Sequence, residues 1–211
     1  MVHQRSISAQ LTNTIAYNYA KLPNLVFGFH GCRQETFENV LYKHEPLAQS
    51  QNRYDWLGHG IYFWENSYQR ALEWASRYEH PAVIGAIIDL GYCLNLTDYY
   101  STQVLQTGYE YLVKESLSTG TELPKNKNTK KSNDWLLRDL DCAVIERVHT
   151  LNRLNNFPAY DSVRGIFTEG KASFPGSGFK EKTHVQLCII NPNCIKGYFN
   201  PIETDSEYPL P

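Results

Sequence analysis

The chain has 211 residues, a formal net charge of −2 and an isoelectric point of about 6.4. This length suits one domain with a substantial buried core. The small net charge gives no whole-chain field that favours nucleic acid or a membrane, although a local patch can still bind either. The first residues lack the apolar stretch of a signal peptide, and no run approaches the roughly 20 apolar residues that span a bilayer. We therefore expect a cytoplasmic protein with no membrane partner.

The number and spacing of the cysteines argue against disulfide bonds and a metal site. The five cysteines are odd in number, and no pair of them has C-x-x-C spacing. This pattern disfavours a disulfide framework and a zinc site, and it favours reduced thiols. A metal site built from His30, His59 and Cys32 has no ligand spacing to support it. We expect no metal.

The first part of the chain alternates short apolar runs with amphipathic stretches. The apolar run before Gly28 predicts a buried strand, and the spacing of Phe37, Val40 and Leu41 predicts a helix after it. Asn66 or Ser67 is suited to cap the following helix through its side-chain oxygen. In chain order we predict a polar lead-in over residues 1–23, a strand at 25–29 and a helix at 34–43. A loop at 44–59, a strand at 60–64 and a helix at 67–78 follow.

The remainder continues with mixed elements and no strict β-α alternation. We predict strands at 82–90, 92–96, 160–167, 184–190 and 194–199, helices at 101–118 and 134–154, and loops at 124–133 and 169–182. The tail over 201–211 is acidic and is expected to be loose. This mixture indicates the α+β class. Because no linker-like stretch divides the chain, we expect residues 1–211 to form a single domain.

Three segments far apart in sequence each place a small or polar residue at the edge of an apolar run. They read Gly-Phe-His-Gly-Cys at 28–32, Leu-Gly-His-Gly-Ile-Tyr-Phe at 57–63 and Thr-His-Val-Gln-Leu-Cys-Ile at 183–189. Their order and content resemble the ADP-ribosyltransferases of the poly(ADP-ribose) polymerase and diphtheria-toxin type. The likeness covers residues 25–90 and 160–199. It implies split, mostly antiparallel β-sheets with flanking helices and an NAD⁺ cleft between the sheets, with NAD⁺ as co-substrate.

The resemblance also implies roles for individual residues. His30 would bind the adenosine ribose, the backbone of Gly31 would pair with the nicotinamide amide, and Tyr62 would present its ring to nicotinamide. The other cofactor-binding residues that it implies are Cys32, Gly60, Ala71, Trp74 and Arg164. Alternation places Ile61 and Phe63 on the strand face opposite Tyr62. We expect His30, Tyr62 and Gln186 to converge on one dinucleotide; the alternative for His30 is a hydrogen-bonded core histidine.

The third segment departs from the family at the catalytic position, because Gln186 stands where a glutamate is usual. Glutamine has no charge, so it stabilises an oxocarbenium ion less and cannot act as a base. Three explanations remain open: catalysis is lost, the acceptor needs no strong base from this position, or Glu169 in the preceding loop supplies the carboxylate. His184, two residues before Gln186, also faces the same side of the strand. A polar residue on a solvated sheet face is the structural alternative for Gln186.

Two further features have both a functional and a plain interpretation. Arg164 has the guanidinium fork that suits pyrophosphate, but a surface ion pair explains it equally well. A basic run in the predicted loop over 124–133 can contact phosphates or be simply solvated, and it contains Lys125, Lys127, Lys130 and Lys131. The resemblance also implies that residues 174–180, within the loop over 169–182, face the acceptor and help to select it.

Together these features predict an NAD⁺-dependent mono-ADP-ribosyltransferase that modifies a macromolecule, with RNA favoured over protein. Similar compact enzymes act as bacterial toxins or phage-defence effectors, which implies an antitoxin partner. Three alternatives stay open: a protein-targeting transferase, an inactive NAD⁺- or ADP-ribose-binding module, and a purely structural interaction domain. An NAD⁺-dependent RNA 2′-phosphotransferase would need several arginines around a phosphate, and only Arg164 stands near the motifs.

Overall fold

A seven-stranded sheet organises the part of the chain that the computed structural model describes, residues 25–129 and 132–209. The strands run in the order β4-β7-β8-β2-β1-β3-β9; β4 and β7 are parallel, and the other neighbouring pairs are antiparallel. The strands are β1 (Val26–Arg33), β2 (Ile61–Glu65), β3 (Pro81–Ile88), β4 (Cys93–Asn95), β7 (Ser162–Phe167), β8 (His184–Ile189) and β9 (Ile195–Phe199). The hairpin between β4 and β7 in the chain is formed by β5 (Lys127–Thr129) and β6 (Ser132–Leu137).

Four helices cover the two faces of this sheet, α1 (Gln34–Tyr42), α2 (Tyr68–Ala75), α3 (Tyr99–Thr119) and α4 (Asp139–Leu154). One face packs against α1, whose Phe37 and Val40 join the largest apolar cluster. The opposite face packs against α3 and α4 near β4 and β7, and against α2 near β1 and β2. Within the described ranges, no helix has the length and apolar character that crossing a bilayer requires.

The α+β class predicted from sequence is confirmed, but the predicted separation into two sheets is not what the structure has. Strands β1 and β2 pair at Gly28 with Glu65 and at Phe29 with Trp64, which joins the strands into one sheet. Only these two residue pairs hold the junction, whereas β1 and β3 pair along the whole of β1. The sheet is therefore continuous but opens beyond Phe29.

Strand alternation orders the core as predicted. Ile61 and Phe63 are buried in the α1-side cluster, while Tyr62 packs with the cluster on the opposite face. The predicted lead-in over residues 1–23 lies outside the described residues. The predicted tail is irregular from Pro201 to Pro209, and the rest of it is not among the described residues.

The region around residue 130 was predicted wrongly. In place of a basic loop over 124–133 and a helix from 134, strands β5 and β6 form a hairpin and α4 begins only at Asp139. The Asn126 side-chain oxygen accepts from the backbone N–H groups of Leu140 and Asp141, so a residue distant in sequence satisfies the first turn of α4. Apolar spacing alone could not show where this helix begins.

The cap predicted for α2 is also absent. Ser67 is the N-cap residue but makes no side-chain capping hydrogen bond. Asn66 has a positive φ of 51°, and its backbone N–H donates to the carbonyl of Phe27 on β1. This turn ties the start of α2 to β1 rather than capping the helix.

Gly31 provides a direct stability test of the packing between β1 and α2. A Cβ at Gly31 would lie 2.1 Å from the carbonyl oxygen of Ala71, which is backbone and cannot rotate away. We expect Gly31→Ala to lower the free energy of unfolding by about 1–3 kcal/mol, the usual cost of overpacking. Gly197→Ala on β9 is the control, because a Cβ there meets nothing within 4 Å. Urea denaturation of both variants gives the comparison, and equal stabilities would contradict this packing.

Candidate functional site

The candidate site lies where β1 and β2 separate. In an antiparallel pair, alternate residues of one strand direct their peptide N–H and C=O groups toward the other strand. On β1 these residues include Phe27, whose carbonyl accepts from the backbone N–H of Asn66, and Phe29, which pairs with Trp64. The next residue in this series is Gly31, which would pair with Tyr62, but the last residue pair that the two strands form is Phe29 with Trp64. The peptide N–H and C=O of Gly31 therefore point into the opening between the strands.

His30 bridges this opening with its side chain. Its Nδ1 lies 2.8 Å from the carbonyl oxygen of Tyr62, the group that would otherwise pair with Gly31. Because a carbonyl only accepts, Nδ1 carries the hydrogen, and Nε2 of the neutral ring is an acceptor. Burial lowers the pKa of His30, which keeps the ring neutral. His30 thus leaves one acceptor atom next to the opening.

The three residues predicted to converge lie on neighbouring strands, but their side chains do not share one face. His30 is in register with Ile84 and its ring contacts Phe63, on the α1 side of the sheet. Tyr62 and Gln186 are on the opposite face, because Tyr62 pairs with Cys188 and Gln186 with Trp64. The opening between β1 and β2 is where the side chain of His30 on one face approaches those of Tyr62 and Gln186 on the other.

Tyr62 has a structural role that its sequence motif did not reveal. Its hydroxyl accepts from the backbone N–H of Leu57 at 2.8 Å and donates to the carbonyl of Gly58 at 2.7 Å. Burial raises the pKa of Tyr62 well above its usual range, so the phenol stays protonated. These bonds close the turn that leads into β2. A stacking role for the ring stays a prediction.

Gly60 is needed for packing rather than for an open approach to a ligand. A Cβ at Gly60 would lie 2.6 Å from the Sγ of Cys188 and 2.7 Å from the carbonyl oxygen of Ile189. The space that this glycine leaves is therefore occupied by β8. Cys32 is buried in the α1-side cluster, and burial raises the pKa of its thiol to about 11, so it is protonated near neutral pH.

On the α2 side of the sheet, Gln186 lies on β8 beside Trp64 of β2. Residues paired directly across two strands have their Cβ atoms about 5 Å apart on the same face. Gln186 is 9% exposed, and its side-chain amide makes no hydrogen bond to the described residues. The solvated sheet face considered as an alternative for Gln186 is therefore wrong, because this position is buried.

Glu169 lies in a buried ionic cluster near the same face. Its carboxylate accepts from Nη2 of Arg70 at 2.7 Å and is 3.7 Å from Nδ1 of His184, two residues before Gln186. Desolvation by burial raises the pKa of Glu169 despite the neighbouring guanidinium. Arg70 also pairs with Glu73, which Lys182 contacts from the 169–182 loop. The cluster holds this loop against α2.

Several buried polar atoms around this cluster have no partner among the described residues. They are the Nε1 of Trp64, the Nε of Arg70 and the Nε2 of His184. An unpaired buried donor or acceptor costs about 1–3 kcal/mol, so such atoms are uncommon unless a ligand or water satisfies them. Because three such atoms lie near Gln186 and Glu169, this face is the candidate polar site.

Other predicted cofactor residues take different positions. Ala71 is fully buried against Gly31, next to the opening. Trp74 is 46% exposed and packs on Trp64 and beneath Arg77, and a role for its ring at the cofactor stays a prediction.

Arg164 forms the ion pair that was its alternative interpretation. Its Nε and Nη2 contact the two carboxylate oxygens of Glu65 at 2.5 and 2.9 Å. Hydrogen bonding to Glu65 raises the pKa of Arg164. A guanidinium held in this two-point pair is not free for pyrophosphate, so the structure gives that role no support.

Two site residues were missed in the sequence. Arg70 joins the helix to Glu169, and Trp64 adds an unpaired indole N–H to the site. The i, i+3 spacing of Arg70 and Glu73 on α2 was visible, but their link to a loop 99 residues later was not. Among the described residues, no group of three or more His, Cys, Asp or Glu side chains is arranged to hold a metal ion.

Comparison with known proteins leaves the site to be interpreted from its own geometry. No family model, no curated protein and no solved structure matches this chain.

The buried histidines predict how stability depends on pH. Burial lowers the folded-state pKa of His30, His149 and His184 below the usual 6.5 of the unfolded chain. The unfolded state therefore binds more protons in this range, and stability is complete above pH 6.5 and is lost as the pH falls below it. We expect the free energy of unfolding to decrease between pH 7 and about pH 5.

Substitution of His184 tests this dependence. His184→Gln removes one of the buried titrating rings and is expected to flatten the decrease, whereas His80→Gln changes an exposed ring and serves as the control. Denaturant titrations at a series of pH values measure the effect. A slope in His184→Gln as steep as in the native protein would show that this ring does not contribute.

Proposed function

We propose that this protein is an NAD⁺-dependent mono-ADP-ribosyltransferase. The observation that carries the proposal is the opening beside Gly31, where a peptide N–H and C=O are left facing a space that β2 does not fill. A primary carboxamide such as that of nicotinamide has one acceptor and two donor hydrogens, which complements such a peptide group. The sequence resemblance assigns this backbone the same task.

The surroundings of the opening support binding of the rest of the dinucleotide. The Nε2 atom of His30 is suited to accept a hydrogen bond from a ribose hydroxyl. Because the His30 ring is neutral, it does not repel the positively charged nicotinamide ring. The unpaired groups beside Gln186 supply further hydrogen-bonding positions on the α2 side. The fully buried Ala71 against Gly31 has no hydroxyl, so it adds no side-chain contact to the amide.

The chemical step breaks the bond between C1′ of the ribose and the nicotinamide nitrogen. Nicotinamide leaves with the bonding electron pair, C1′ becomes oxocarbenium-like, and the acceptor nucleophile forms the new bond to C1′ as its proton passes to a base. Gln186 orients the ribose through its amide but cannot take this proton. Glu169, whose pKa is raised by burial, is suited to accept the proton.

Glu169 must be released from Arg70 to act in this way. Binding of NAD⁺ brings pyrophosphate oxygens, which compete with the carboxylate for the Arg70 guanidinium. In this proposal Arg70 rather than Arg164 binds the pyrophosphate, because the Nε of Arg70 has no partner among the described residues whereas the Nε of Arg164 is held by Glu65. Binding of NAD⁺ in this proposal therefore also releases the Glu169 carboxylate, which then acts as the general base.

The acceptor in this proposal is RNA, and the protein acts in the cytoplasm as a toxin or defence effector restrained by an antitoxin. Exposed lysines on β5 and in the 169–182 loop, Lys127 and Lys171, supply positive charge for an RNA backbone. A base nitrogen also needs less help from a strong carboxylate base at position 186. Transfer to a protein side chain is the alternative acceptor.

A second candidate is an inactive module that binds NAD⁺ or ADP-ribose. It is favoured by Gln186 at the catalytic position and by the Tyr62 hydroxyl, which is fully used within the chain. Release of nicotinamide separates the two candidates, because an inactive module binds without breaking the glycosidic bond.

Replacing Glu169 tests the proposed base. Loss of general-base catalysis typically costs about 10²-fold or more in rate, so we expect Glu169→Gln to reduce transfer to the acceptor by about that factor. Glu181→Gln, an exposed position in the same loop, is the control. Gln186→Glu is expected to raise nicotinamide release by restoring a charge that stabilises the oxocarbenium ion. Chromatography of nicotinamide measures all three variants. Absence of release from the native protein, with NAD⁺ bound, would assign the inactive module.

The acceptor is identified by incubating the protein with radiolabelled NAD⁺ and either total RNA or protein from a cell lysate. We expect label in RNA that ribonuclease digestion removes. Label that appears only in protein would exclude RNA as the acceptor while leaving the transferase proposal intact.

A further inference from the structure

A separate cavity of about 380 Å³ lies on the α3–α4 side of the sheet, and none of the predicted catalytic residues lines it. Its volume falls within the range of small-molecule sites, about 300–1,000 Å³. Five aliphatic, three aromatic and four polar side chains line it, among them Trp56, Tyr109, Phe167, Gln106, Arg138 and Asp141.

One wall of this cavity is a stack in which the Arg138 guanidinium covers the Trp56 and Phe167 rings, so the outer face of the guanidinium and the Tyr109 ring are the surfaces available to a flat ligand. The rings of Trp56 and Phe167 lie 4.8 Å apart, and the Arg138 guanidinium lies 4.4 Å from the first ring centroid and 4.7 Å from the second. The indole N–H of Trp56 donates to the carbonyl of Leu136, which fixes the ring. Tyr109 projects from α3 at the cavity and is 38% exposed. Aromatic and guanidinium planes are the surfaces on which proteins stack nucleobases.

The polar side chains favour a base over a phosphate. The carboxylate of Asp141 is partly exposed in the lining and pairs with Arg138 at 3.2 Å. A carboxylate repels phosphate but accepts from the exocyclic amino group of a base. Gln106 provides a side-chain amide, which both donates and accepts. The lining therefore offers stacking together with edge hydrogen bonds.

The cavity adjoins the ionic cluster of the proposed catalytic site. Trp56 stacks on the His184 ring at 6.3 Å, and Phe167 is paired with His184 across β7 and β8. His184 is the neighbour of Glu169. The rings of Trp56 and His184 thus lie between Glu169 and a ligand in the cavity. The cavity is on the side of these rings that faces away from β1.

We propose that this cavity binds a nucleobase of the acceptor nucleic acid, next to the base that is modified. The inference rests on the proposed function only for the identity of the acceptor. Strand β6 forms part of the approach, since the carbonyl of Leu136 accepts from the indole N–H of Trp56. Stacking is the main contribution, so the site tolerates different bases, while Asp141 favours those with an amino group.

Binding of fluorescein-labelled RNA hexamers of A, C, G or U, followed by fluorescence anisotropy, tests the site without requiring catalysis. Stacking on one aromatic residue contributes about 5-fold or more in affinity, so we expect at least that loss in Tyr109→Ala. Tyr111→Ala is the matched control, because Tyr111 is equally exposed on α3 but does not line the cavity. Asp141→Asn is expected to reduce the preference for A, C and G over U without abolishing binding.

The possible results separate the base site from the proposed enzyme. Oligonucleotide affinity that depends on Tyr109, in a protein that releases no nicotinamide, supports the base site and rejects the transferase. Equal affinities in Tyr109→Ala and Tyr111→Ala would overturn the base site, whatever the transferase assay shows. Displacement of the hexamer by ADP-ribose, with loss of ADP-ribose affinity in Tyr109→Ala, would assign the cavity to the adenine of NAD⁺ and overturn the acceptor role.

Discussion

The short pairing between β1 and β2 is the constraint on which the site depends. Two residue pairs keep the sheet continuous, and the imidazole of His30 takes over the Tyr62 carbonyl at the next position. The bond satisfies Tyr62, so the strands can separate without leaving that carbonyl buried and unpaired. Gly31 is left with a free peptide edge, and the close packing of Ala71 above it keeps α2 in place. A side chain, rather than a loop insertion, thus creates an opening within a sheet.

A second consequence concerns charge. The α2 side of the sheet holds Arg70, Glu169 and His184 close together, and buried nitrogens of Trp64, Arg70 and His184 have no partner in the described part of the chain. Buried ion pairs contribute little net stability because desolvation offsets their attraction. The proposed function accounts for their presence by a ligand that completes the arrangement. The same cluster also fixes the 169–182 loop, which links any movement of that loop to occupation of the site.

Local patterns in the sequence predicted much of this architecture. Alternation correctly assigned Ile61 and Phe63 to one face and Tyr62 to the other, because the side-chain period of a strand is fixed. The hairpin of β5 and β6 was missed, since its lysines and asparagines carry no apolar alternation. The start of α4 was missed because its cap comes from Asn126, through tertiary contact.

The site itself was only partly predictable. The motifs identified the three strands that lie side by side. Glu169 lies near His184 on the third of these strands, and its role as a source of a carboxylate stays a prediction. The opposite facing of His30 and Gln186 follows from the register of β1 with β3, which no single segment encodes. The pairing of Arg164 with Glu65, and of Arg70 with Glu169, depends on which long side chains meet across separate elements.

A crystal structure of the protein with bound NAD⁺ tests the central claim most directly. The account predicts that the nicotinamide amide pairs with the backbone of Gly31, in the opening between β1 and β2. The nicotinamide ribose would then face Gln186, with Arg70 turned from Glu169 toward the pyrophosphate. A dinucleotide bound elsewhere, with the opening unchanged and the Arg70–Glu169 pair intact, would contradict it.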